Sequence, residues 1–136
     1  MKIGILTEII SFHSGARAPL ELAKHLAKRG HEISVYGYDF RRDEKANLDL
    51  KAHSVRVFLF KKSYPSLIGR CIASVSLFKQ LRKDNPQAII FAGTFFSFLA
   101  GKLSGIPIIW MYMGTQFDAL LENTIPNQGI SFIVKA

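Results

Sequence analysis

Short apolar runs alternate along this chain with longer segments whose apolar residues recur every three or four positions. Ile3 to Leu6 and Ala88 to Ala92 are apolar at nearly every position, the pattern of strands covered by helices on both faces of a parallel sheet. Ile33 with Val35, and Ile108 to Met113 after Pro107, read as further strands. Between the first two strands, Leu20, Leu22, Ala23, Leu26 and Ala27 share one helix face, opened by Pro19 and stopped by Gly30. A long helical pattern runs from Pro65 to Lys83 through Leu67, Ile68, Ile72, Val75, Leu77, Phe78 and Leu81, and Asn85-Pro86 ends it. Phe95 to Leu103 makes a shorter helix closed by Gly105.

Val55, Val57 and Leu59 alternate with Arg56 and Phe58, which predicts a strand near a sheet edge. Asp39 to Asp49 reads as a charged, exposed connection leading to it. Strands alternating with helices require right-handed crossovers, so the expected fold is a doubly wound α/β domain: a mostly parallel sheet, helices on both faces, Ile3 to Leu6 at its centre. Such sheets place ligands beyond the carboxyl ends of their strands. Function is therefore expected at Glu8 to Arg17, Gly93 to Phe96 and Gly114 to Asp118.

The length of 136 residues suits one domain over 1–136 and excludes two. The net charge of +8 predicts attraction to phosphates, nucleotides, nucleic acid or an anionic membrane. Its cations are scattered in pairs such as Arg41-Arg42, Lys61-Lys62 and Arg82-Lys83, which argues against a nucleic-acid module. Cys71, the one cysteine, lies in an apolar helical pattern and reads as a small buried hydrophobe. The opening apolar run breaks at Thr7-Glu8 without a cleavage site, and Lys79 and Lys102 interrupt the best candidate spans, so a cytoplasmic protein is expected.

The order and spacing of several motifs carry a resemblance. Met1-Lys2-Ile3-Gly4-Ile5-Leu6-Thr7, then Ser14-Gly15-Ala16-Arg17, then a helix ending in Arg29-Gly30-His31-Glu32, resembles the opening of family 4 glycosyltransferases. Pro86-Gln87-Ala88-Ile89-Ile90-Phe91-Ala92-Gly93 and Gly105-Ile106-Pro107 are similar to later motifs of the same family, so the likeness covers most of residues 1 to 115. The sequence departs from the family pattern at four places. Ser14 stands for the first glycine of a pair, Ile90 and Ala92 replace both histidines of the fourth-strand motif, and Met113 replaces a histidine before Gly114.

The resemblance implies the N-terminal, acceptor-side half of a two-domain (GT-B) enzyme that transfers a sugar from a nucleoside diphosphate sugar to a glycan or lipid-linked acceptor, such as a cell-envelope polysaccharide precursor. It also implies a piece lacking the C-terminal donor-binding domain and inactive alone; the apolar run Ile130 to Ala136, without a stop signal, fits a cut near a domain junction. The nucleotide sugar would be substrate, with no resident cofactor and no metal.

Within the first loop, Gly15 lets backbone N–H groups approach a phosphate at a helix N-terminus, or simply relieves crowding at the turn. Ser14, Gly15, Ala16 and Arg17 are the leading substrate-binding residues, with Arg17 either paired to a phosphate or solvated. Gly93-Thr94 and Gly114-Thr115-Gln116 offer groups for sugar hydroxyls, although Thr94 also suits a helix cap. His13 and Asp118 are the catalytic candidates; Glu8 and Glu122 are further carboxylates near the crevice, equally suited to helix termini. His25 and His53 read as surface residues and His31 as part of the turn into the second strand.

Family members that modify lipid-linked acceptors resemble this sequence in having a basic acceptor domain, and Lys61 to Arg70 mixes cations with aromatic and aliphatic residues suited to peripheral contact with an anionic membrane, on its inner face. Alternatively Leu67 and Ile68 begin the buried face of their helix. Two other function classes stay open: a nucleotide- or dinucleotide-binding module, for which Asp39 ends the second strand as a ribose-binding carboxylate would but the glycine fingerprint is missing, and a non-catalytic binding domain.

Overall fold

The computed structural model describes residues 1–12, 17–38, 43–60, 67–92 and 95–111. In chain order these form β1 (Lys2–Ile9), α1 (Arg17–Lys28), β2 (Glu32–Tyr38), α2 (Glu44–Ala52), β3 (Arg56–Phe60), α3 (Leu67–Asp84), β4 (Ala88–Ala92), α4 (Phe95–Leu103) and β5 (Ile108–Trp110). The strands lie in the order β3-β2-β1-β4-β5 and every pairing is parallel. The expected doubly wound sheet is present, with β1 central and β3 at an edge.

Side chains alternate across the strands and divide the core in two. Ile3, Ile5, Ile33, Val35 and Ile90 meet Leu20 and Ala23 of α1 and Ala46 and Leu50 of α2. Leu6, Tyr36, Ile89 and Phe91 meet Leu77 and Leu81 of α3 and Ala100 of α4 on the other face. Ile5 pairs in register with Val35 and Ile90 on one face, and Leu6 with Tyr36 and Phe91 on the other, so the centre of the sheet is buried on both faces. Each of these aliphatics contributes about 1.5–3 kcal/mol by leaving water.

The connection expected over Asp39 to Asp49 proves to be partly helix. Asp43 accepts hydrogen bonds from the backbone N–H groups of Lys45 (3.1 Å) and Ala46 (3.3 Å), capping α2, and His53 closes the other end with Nδ1 2.8 Å from the Asp49 carbonyl oxygen. Only Ala46, Asn47 and Leu50 of α2 are buried, too few inward residues for periodicity to reveal against its charges.

The inner line of α3 is Gly69, Ala73, Leu77 and Leu81, one residue every four, whose small N-terminal members let the helix lie close to the sheet. Leu67, Ile68, Ile72 and Val75 therefore do not pack inward: they are 66%, 72%, 61% and 53% exposed. The alternative that Leu67 and Ile68 begin the buried face is thereby corrected, and so is the buried position expected for Cys71, which is exposed. At the end of α3, Asp84 is buried and accepts a 2.6 Å hydrogen bond from the Tyr36 hydroxyl, while Gln80 Nε2 donates to its other oxygen at 3.2 Å. Burial and the Asp84 carboxylate push the Tyr36 phenol far above its ordinary pKa. Among the described residues, no helix is long and apolar enough to cross a membrane.

Candidate functional site

Strand order reverses between β1 and β4, which leave the sheet as neighbours and lead to helices on opposite faces. Their carboxyl ends flank the crevice where an open α/β sheet binds ligands. Thr7 pairs with Ala92 at that boundary. β5 lies next to β4, and its continuation Met111 donates its N–H to the Phe91 carbonyl oxygen at 2.9 Å. The carboxyl ends of β1, β4 and β5 therefore lie side by side on the same edge.

Helices returning from that edge aim their N-termini at it, where unpaired N–H groups and the helix dipole favour an anion. The first turns of α1, α3 and α4 contain no acidic residue to offset this, whereas α2 has Asp43 and Glu44. Anionic groups are thus favoured at the reversal point, between α1 and α4, over the α2 side.

Arg17 opens α1 with a largely exposed side chain, its Nε 3.9 Å from Glu21 Oε1. A contact that long and that exposed holds the guanidinium weakly and leaves it available to a phosphate. His13, Ser14, Gly15, Ala16, Gly93, Thr94, Gly114, Thr115, Gln116 and Asp118, together with Asp39 and Glu122, lie outside the described residues. Glu8 is half-buried within β1. His25 is exposed; His53 is a half-buried cap; His31 lies with Nδ1 3.4 Å from the Met1 amino nitrogen, at the turn into β2.

Ile90, one of the positions where the family pattern has histidine, is 8% exposed and packed with Ile5 and Val35. A side chain there serves the core, not the crevice. Ala92, the other position, is half-buried at the last residue of β4.

The approach to the first loop is braced in a way the sequence did not announce. β1 shifts register against β2 between Leu6 and Ile9, which carries Ile10 over β2. There Gly37 makes room: a Cβ at that position would lie 2.9 Å from Ile10 Cγ1. Next, the Phe12 N–H donates to Asp43 Oδ2 at 3.3 Å, and Lys24 Nζ sits 5.2 Å from the Phe12 ring centroid. Lys24 also bonds Asp49 at 2.8 Å and Glu21 at 3.0 Å. The Asp49 and Glu21 carboxylates raise the Lys24 pKa, and the Lys24 hydrogen bond lowers that of Asp49. One carboxylate, Asp43, thus caps α2 and fixes the last described residue before the loop. The only sequence signal for it was an aspartate preceding a short mixed helix.

Among the described residues, no three His, Cys, Asp or Glu side chains gather as a metal site would require.

Comparison with known proteins decides the family. The model of Glycosyltransferase Family 4 matches residues 15–125. The chain belongs to glycosyltransferase family 4. The solved structures it resembles include a glycosyltransferase from Rickettsia africae (TM-score 0.65, 14% identity, 91% of this chain and 34% of that one). MurG of Acinetobacter baumannii (TM-score 0.63, 16% identity, 93% and 40%) and Anabaena HepE, solved with UDP and glucose (TM-score 0.58, 15% identity, 79% and 28%), are also similar. At these identities the likeness concerns the fold, and this family 4 domain spans about a third of such chains. No curated protein matches the sequence.

Proposed function

We propose that this family 4 domain is the acceptor-side half of an enzyme that transfers a sugar from a nucleoside diphosphate sugar to a glycan or lipid-linked acceptor of the cell envelope. The observation that carries the reading is the family match over residues 15–125, laid on a sheet whose reversal point is flanked by two helices with no acidic residue in their first turns. In such a transfer the bond between the anomeric carbon and the diphosphate oxygen breaks, and the diphosphate leaves with the electron pair. The acceptor hydroxyl oxygen forms the new bond and gives up its proton, for which His13 or Asp118 is the proposed acceptor.

Arg17 and the α1 N-terminus are proposed to hold a phosphate of the bound substrates, and Ser14 to Ala16, Gly93, Thr94 and Gly114 to Gln116 to bind the acceptor. The nucleotide sugar serves as substrate, and the reading calls for no resident cofactor or metal. We place the protein in the cytoplasm, in peripheral contact with the inner face of the membrane, and attribute donor binding to a second domain, so that the 136-residue chain alone does not turn over.

A second reading, a non-catalytic binding domain, is favoured by Ile90 and Ala92 standing where the family pattern has histidines. Assaying the full-length gene product with radiolabelled nucleotide sugars and extracted lipid and glycan acceptors separates the two. Label passing into acceptor, reduced on the order of tenfold or more by Arg17→Ala, is the expected result. Binding of acceptor with no transfer from any donor supports the second reading, and robust transfer by residues 1–136 alone contradicts the two-domain account.

A further inference from the structure

We propose that the outward face of α3 is a docking surface for an anionic lipid bilayer. The inference gives a surface to the membrane contact proposed above, and it does not require that transfer occur.

Ile68, Ile72, Val75, Lys79 and Arg82 recur every three or four residues and form one stripe along the helix, with Cys71 and Lys83 beside it. Every one of them is exposed. The stripe changes character along its length: its first half is aliphatic, with Leu67 adjoining, and its last half is cationic. A helix needs one apolar face to pack, and α3 already has one in Gly69, Ala73, Leu77 and Leu81. A second, solvent-facing run of large aliphatics gains nothing from the fold itself, and contiguous apolar surface of this kind marks an interaction site.

Charge selects the occupant. The only carboxylate on α3 or α4 is Asp84, which is buried and bonded to the Tyr36 hydroxyl. Lys79, Arg82, Lys83 and, on α4, Lys102 are all exposed on this side of the sheet. An anionic bilayer satisfies both halves of the stripe: the aliphatics enter the boundary between headgroups and acyl chains, and the lysines and arginines reach the lipid phosphates. A second copy of the chain satisfies them less well. Parallel pairing of two α3 helices sets cation against cation, and antiparallel pairing sets cations against the partner's aliphatics.

Co-sedimentation of the protein with phosphatidylcholine vesicles, with and without phosphatidylglycerol, tests the proposal. Binding to the phosphatidylglycerol vesicles on the order of tenfold or more above phosphatidylcholine alone is expected, weakening as salt is raised. Ile72→Ser with Val75→Ser, and separately Lys79→Glu with Arg82→Glu, should each abolish that excess while leaving the thermal midpoint unchanged, because all four side chains face solvent. Equal, negligible sedimentation with both vesicles overturns the proposal. So does binding that survives both variants, or a dimer in sedimentation equilibrium that Ile72→Ser with Val75→Ser dissolves. Sugar transfer to a water-soluble acceptor does not depend on this face, so losing the vesicle result leaves the transferase reading standing, and the reverse also holds.

Discussion

The two helix layers cover the same sheet but meet water differently. On one side, α1 and α2 interleave both signs of charge: Lys24 bridges Glu21 and Asp49, and Arg17 approaches Glu21. On the other, α3 shows solvent a row of aliphatics followed by cations, and its one carboxylate is turned inward to Tyr36. The inner surfaces of both layers are ordinary core. The difference lies outside, where folding makes few demands: mixed charge on α1 and α2, and on α3 the aliphatic and cationic groups that the proposed bilayer contact would use.

The largest effect should separate the two faces of α3. Leu77→Ala or Leu81→Ala leaves a cavity beneath the helix and should cost about 2–5 kcal/mol in urea unfolding, whereas Ile72→Ser should stay within about 0.5 kcal/mol. Comparable losses at Leu77 and Ile72 would erase the distinction between the faces.

Tyr36→Phe should cost about 1–3 kcal/mol by removing the donor to the buried Asp84 carboxylate. Because the folded state raises the Tyr36 pKa, the phenol's contribution is complete below its ordinary value of about 10 and is lost as pH rises beyond it. Thermal scans of Tyr36→Phe should therefore show a shallower alkaline decline than the parent protein.

On the opposite layer the effects are smaller. Asp43→Ala removes the α2 cap and the Phe12 contact and should cost about 1 kcal/mol, with faster hydrogen exchange at the Phe12 amide. Asp49→Asn should cost less than about 1 kcal/mol, Lys24 and Asp49 both being partly solvated. Lys24 lowers the Asp49 pKa, so the pair's stabilisation is present above the ordinary carboxylate value of about 4 and disappears as pH falls through the depressed one. The variant should flatten that acid limb.

Much of the architecture was legible because a strand buried on both faces leaves little choice of residue. Ile3 to Leu6 and Ala88 to Ala92 announced β1 and β4, and the alternation at Val55 to Leu59 announced β3 and its edge position. β5, expected over Ile108 to Met113, has Trp110 as its last strand residue, and Tyr112 and Met113 lie outside the described residues. α2 escaped notice because Ala46 and Leu50 alone point inward and a cap at Asp43, not periodicity, defines its start. The outer face of α3 was hidden for the opposite reason: aliphatics all round a helix give one apolar pattern whether they face core or solvent, which also misplaced Cys71. At the site, the sequence foretold the parallel strands whose carboxyl ends share one edge, but the bracing of Phe12 by Asp43 and Lys24 joins residues too distant in sequence for spacing to reveal.

The central claim is that substrate meets this domain at the carboxyl edge between β1 and β4. Backbone amide spectra of the 136-residue chain, titrated with a short-chain lipid-linked saccharide and separately with NAD, test it most directly. The account predicts shifts at Phe12, Arg17, Ala92 and Met111 with the saccharide and none with NAD. Shifts centred on Glu32 and Gln87 at the opposite edge, or saturable binding of NAD alone, would contradict it.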